Sequence, residues 1–189
     1  SVSGRAMGDN AGVNASREAG RSAETIKTFL INNGIKNDEI TITAASLSQI
    51  CELNNQGYEN CSIGVRGQNA YQNILVETAE IEKVEDLNAR ISKEINNVNI
   101  SSNMVEYFYN NLKDIRVEML SEATKNAKER ALAVARAGGA TVGAITSLSS
   151  CVFQVTPKNS VAVDDYGAYD TSTVEKKVTA TVKVNFKVK

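Results

Sequence analysis

A chain of 189 residues, 42% hydrophobic and 23% charged, is long enough to bury a core and has the balance of an ordinary globular protein. Its net charge is −1 with Lys and Arg scattered along the chain, so neither nucleic acid nor anionic lipid is expected as a partner. The absence of histidine removes the usual general base near neutral pH, the commonest metal ligand and the Ser-His and Cys-His dyads. No enzyme activity, metal or cofactor is therefore expected.

Residues 1–7 read as a strand. Asp9 is placed to cap a helix whose small and apolar residues fall at Ala15, Ala19, Ala23, Ile26 and Leu30, and Asn33-Gly34 is its stop. Ile40, Ile42 and Ala44 alternate with threonines as in a strand. A polar stretch with two cysteines follows from Gln49 to Ser62, and ELNNQGYEN within it is read as a turn. The segment 70–78 is strand-like, and Val84, Leu87, Ile91 and Ile95 mark a second helix.

Met104 to Asn110 alternates and predicts another strand. Asp114 is expected to cap a third helix with Leu120, Ala123, Ala127, Ala131, Val134 and Ala135 on its inner side. Gly138-Gly139 follows that helix. A phosphate-binding glycine loop must precede a helix, so that free N–H groups and the positive end face the anion. The pair is therefore read as a left-handed helix stop.

Two strands close the chain, at 145–155 and 175–189. In the second, Val178, Ala180, Val182, Val184, Phe186 and Val188 alternate with polar residues, as in an antiparallel sheet with one wet face. The 156–174 connection is a long loop holding the only proline, Pro157. The expected order is β-α-β-β-α-β-α-β-β, an α+β fold with a mainly antiparallel sheet and three helices packed on it. Helix, glycine stop and strand recur at 10–48 and 115–155. The chain is read as one domain over 1–189, with sub-structures at 1–80 and 81–189. The apolar runs, such as Ile74-Leu75-Val76, are too short to cross a bilayer, and no signal peptide is seen.

The stretch NLKDIRVEMLSEATKNAKERALAVARAGGATVG, ending at Gly143, resembles the signature of the SIMPL-domain family of bacterial proteins. FLINNGIKNDEITI (29–42), the strand 71–77 and VEKKVTATVKVNF (174–186) resemble other parts of the same pattern. The resemblance implies an α+β domain, export to the periplasm or cell surface, and ring-like oligomers in some members. It supplies no agreed catalytic mechanism, so no active-site residue carries over. The family pattern opens with one more strand than SVSGRAM provides, and that strand is expected to be missing or supplied by another chain.

Cys51 and Cys61 flank ELNNQGYEN. In an oxidising compartment a bridge between them would contribute roughly 3 kcal/mol in the chain-entropy model. The spacing is not that of a redox Cys-x-x-Cys pair, and zinc is not expected. Cys151 is expected as a buried free thiol on the apolar side of its strand. In VAVDDYGAYD (161–170), Asp164, Asp165 and Asp170 offer oxygen ligands, but their spacing matches no calcium loop. Tyr166 and Tyr169, beside Asp164 and Asp165, suit a contact with a partner chain.

Three functions are open from the sequence. One is an exported structural module that self-associates through the 156–174 loop or an exposed strand edge. Another is a periplasmic small-ligand binder with a cleft between the Ala-rich helices and the sheet. The last is an enzyme using Glu118 and Glu122, four apart near a helix start, whose plainer reading is compensation of the helix dipole.

Overall fold

The computed structural model describes residues 1–161 and 166–189, with the backbone alone at 150 and 151. It divides into two compact units, Ser1–Val105 and Glu106–Lys189. The first holds β1 (Val2–Met7), α1 (Ala11–Asn32), β2 (Ile40–Ile42), β3 (Ser46–Leu53), β4 (Glu59–Gln72), β5 (Ile74–Val76), α2 (Ile81–Glu94) and β6 (Asn99–Ile100). The second holds α3 (Leu112–Ala137), β7 (Val142–Pro157) and β8 (Lys176–Val188). Three helices and several antiparallel sheets make the fold α+β, as expected.

In the first unit the strands run β3-β4-β1-β6, and β2 pairs separately with β5. α1 lies on the β1–β4 pair with Ala11, Ala15, Ala19, Ser22, Ala23, Ile26 and Leu30 buried. Those positions step by three and four, which keeps them on one side of the helix. Small residues let the backbones approach. Ala15, Ala19 and Ala70 are fully buried together, and Gly4 lies opposite Ala70 in the strand register. A side chain at Gly4 would run into the Ala15 carbonyl and the Ala19 amide. Further along, Ile26 and Leu30 join Val2, Ile35, Ile40, Leu87 and Ile91 in a larger apolar cluster. Each such side chain contributes about 1.5–3 kcal/mol by leaving water.

α1 ends as expected at Asn33-Gly34. Gly34 has φ +89°, its N–H reaches the Ile31 carbonyl, and the Ile35 N–H reaches the Leu30 carbonyl. This is a Schellman closure with a buried isoleucine behind it. α3 ends the same way, with Gly139 at φ +72° and the Ala140 N–H on the Ala135 carbonyl. Gly138-Gly139 is a helix stop, as its position after the helix predicts.

In the second unit, β7 and β8 form a long antiparallel ribbon with α3 across it. The expected alternation of β8 is present, with its even-numbered residues from Val178 to Phe186 half-buried and the odd ones exposed. Arg116 of α3 stands over the Phe153 ring, 5.4 Å from its centroid. This cation–π contact fixes the start of the helix on β7.

Several expectations give way. The polar stretch 49–62 is not only a turn, because it contains the ends of two strands, β3 and β4. The order is therefore β-α-β-β-β-β-α-β-α-β-β. Met104 to Asn110 forms no strand, and the Tyr107 N–H is taken by the Thr171 carbonyl instead. Asp9 does not cap α1, since Asn10 occupies that place with φ +60°. Asp114 lies inside the first turn of α3 after Asn111. Val134, assigned to the inner side of α3, is 74% exposed.

Candidate functional site

Cys51 and Cys61 come together at disulfide distance, with Cα atoms 4.7 Å apart. The chain brings them there by an irregular hairpin. Cys51 pairs with Val65, but the next residue, Glu52, pairs with Asn60, so 61–64 bulge from the ladder. Beyond the bulge, Asn54 closes the turn. Its side-chain oxygen accepts the N–H groups of Gln56 and Tyr58, and Gly57 takes φ +82°. Arg66 and Glu59, 3.6 Å apart, span the same bulge. Cys51 is buried while Cys61 is exposed. The pair thus clamps the hairpin where its hydrogen-bond ladder is weakest.

Of the loop residues singled out from the sequence, Asp164 and Asp165 lie outside the described residues, as does the Cys151 side chain. Tyr166 is 99% exposed. Tyr169 stacks on Phe108 with ring centroids 6.4 Å apart, and its hydroxyl oxygen accepts the Tyr109 N–H. Tyr169 is thereby tied to the segment 108–109 that precedes α3.

Asp170 has a local task that its sequence spacing did not signal. Its carboxylate accepts the N–H and hydroxyl groups of both Ser172 and Thr173, and Lys176 Nζ lies 3.1 Å from Oδ2. The Thr173 and Ser172 hydroxyls, with Lys176, hold this acid far below the ordinary carboxylate range. Beside it the chain adds a short edge to β7, through the Val155 N–H on the Ala168 carbonyl and the Asp170 N–H on the Val155 carbonyl. The carboxylate's lone pairs are spent on fastening this connection to the start of β8.

α1 lies flush on the sheet, so the space beneath it is filled. A depression of about 310 Å³ lies at the surface where α1 begins, lined by Gly8–Gly12 with Val65, Gly67 and Gln68. Glu118 and Glu122 are exposed on α3, one and a half turns or more past its first residue rather than at its start. No described helix is long and apolar enough to cross a membrane.

The strand edges and the charges complete the surface. Among the described residues, nothing pairs with the outer edge of β8 or with that of β3. The scatter of charge along the chain hides a division between the units. Residues 1–105 carry 9 Lys and Arg against 13 Asp and Glu, a net of −4. Residues 106–189 carry 12 against 9, a net of +3.

Three helices beside small antiparallel sheets, clamped by a cysteine pair and open along two strand edges, define an α+β protein with extended free surfaces. The chain belongs to the SIMPL family, whose model, described as a protein of unknown function (DUF541), matches residues 4–186. No curated protein matches it.

Proposed function

We propose that this SIMPL-family chain is an exported structural module of the bacterial cell envelope that works by self-association. The observation that carries this reading is the open edge of β8. Among the described residues, its 13 residues are bonded to β7 on one side only. A row of unpaired N–H and C=O groups is a template for another strand. Natural sheets usually blunt such an edge with a bulge or a covering loop, and among the described residues the covering bonds lie on β7, at Ala168–Asp170.

The cysteine pair supports the compartment. Disulfides persist in oxidising surroundings, and a pair at bonding distance is compatible with a place outside the cytoplasm. The chain's lack of histidine supports a role in contact rather than turnover. Sedimentation velocity over a wide range of protein concentration tests the reading. The weight-average mass is expected to rise with concentration. A strictly monomeric chain at every concentration ends the proposal.

A further inference from the structure

The two units carry opposite charge, and much of the excess falls in one stretch of each, β8 in the second and residues 77–94 in the first. On β8, Lys177, Lys183 and Lys187 stand on the exposed side of the strand with Thr179, Thr181 and Asn185 between them. Among the described residues, none of the three lysines has a carboxylate within ion-pair distance. The row is about 33 Å long at strand spacing. In the first unit, residues 77–94 hold six acids against Lys83, Arg90 and Lys93. Those acids are Glu77, Glu80, Glu82, Glu85, Asp86 and Glu94, all exposed on α2 or just before it. Arg90 is taken up by Asp86 and Glu94 on its own helix, and Lys83 by Glu80. The flank keeps a negative excess.

We infer that the lysine face of β8 in one copy meets the acidic flank of α2 in another, so that copies join head to tail. This rests on the self-association reading and gives it a direction. Pairing of two β8 edges is disfavoured in the register centred on Val182. An antiparallel β8–β8 pair centred on Val182 sets Lys177 opposite Lys187 twice, and like charges directly opposite are destabilising. Unlike surfaces attract, steer the encounter and reject the wrong register. A single contact between two different patches leaves one patch of each copy unmet and able to engage a further copy.

The test uses the full oxidised chain and two charge reversals. One variant carries Lys177→Glu, Lys183→Glu and Lys187→Glu; the other carries Glu77→Lys and Glu82→Lys. Each alone is expected to weaken self-association about tenfold or more, as is raising salt from about 0.01 M to about 1 M, which shortens the screening length from about 30 Å to about 3 Å. Mixing the two variants is expected to restore assembly, which a folding defect in either one cannot do. Wild-type assembly that ignores both salt and reversal overturns the head-to-tail contact and leaves self-association standing. A wild type that stays monomeric in both salts, or stays monomeric while binding anionic phospholipid vesicles, overturns the contact and the assembly reading together.

Discussion

α1 and α3 carry small residues along one side, and both stop at a left-handed glycine, Gly34 and Gly139. Yet α1 buries seven of its 22 residues, and α3 buries none of its 26. The difference lies in the layer behind each helix. α1 rests on strands of a four-stranded sheet at a point where Gly4 and Ala70 remove side-chain bulk. α3 rests on two strands, whose axes are about 5 Å apart, whereas a helix with its side chains is about 10 Å across. A ribbon that narrow cannot cover the flanks of a helix. Equal stripes therefore give unequal burial, and the second unit keeps more of its surface for other contacts.

Overfilling the tight side gives the largest contrast. Gly4→Val places a branched side chain against the backbone at Ala15 and Ala19, which cannot retreat without moving α1 off the sheet. A loss of about 3 kcal/mol is expected in urea unfolding. Ala127→Leu on the half-buried side of α3 has room to turn outward and is expected to change stability by less than about 1 kcal/mol. Equal losses at the two sites would abolish the distinction drawn between the helices.

The clamp on the β3–β4 hairpin comes next. Reducing the pair, or changing Cys51→Ser with Cys61→Ser, is expected to lower stability by about 2–3 kcal/mol. The loss should be local at first, with amide exchange rising around 51–65 before it rises in α1. Thiol titration of the denatured chain without reductant is expected to find one reactive group among the three cysteines. Finding three refutes the bond.

Much of this contrast was legible in the sequence, but unevenly. The α1 stripe and the β8 alternation were plain, because one regular period ran through each. The β3–β4 hairpin was hidden because Cys51 and Glu52 pair with residues five apart, which breaks the alternation, and its Asn and Gly content looks like loop. Met104 to Asn110 failed in the opposite way. Its aromatic alternation imitates a strand, but Phe108 finds its partner in Tyr169 and the Tyr107 N–H in Thr171, so no ladder is needed. Asp170 was seen only as one of several loop acids. Its donors at Ser172, Thr173 and Lys176 are close in sequence, and an Asx pattern could have found them. The open edges and the charge of each unit required knowing which strands pair and where the units divide.

Asp170 ties acid sensitivity to the second unit, as Glu39, whose pKa is lowered by the Lys36 N–H and the Thr78 hydroxyl, does in the first. The Asp170 pKa is lowered in the folded chain, so its contribution is present above the unfolded carboxylate's value of about 3.9 and is lost as pH falls below that. Melting curves followed between pH 7 and pH 3 should show this slope in the wild type. Asp170→Asn should be less stable at pH 7 and should lose that part of the slope. A variant with the wild type's full acid sensitivity would show that the network does not hold the loop.

Smaller effects sharpen the comparison because they should be the same in both helices. Gly34→Ala and Gly139→Ala each force a side chain into the left-handed region, and each is expected to lose about 1 kcal/mol. Nothing lies within 4 Å of a Cβ at Gly139, and only the flexible Lys83 side chain approaches one at Gly34. The backbone term should therefore dominate both, whatever lies behind the helix.

Val134→Ser should do least. Its side chain is 74% exposed on α3, so at a concentration where the chain is monomeric the change is expected to stay within about 0.5 kcal/mol. Ile26→Ala on α1 is the matching control, with an expected loss of about 2–5 kcal/mol from a site only 3% exposed. Repeating the Val134→Ser measurement at a concentration where copies associate adds one discrimination. If α3 stays free in the assembly, the small value persists, because the lysine face of β8 lies on the opposite side of the ribbon from the helix. A cost that grows with protein concentration would instead place α3 in the contact and redirect the search from the charged face to the helix.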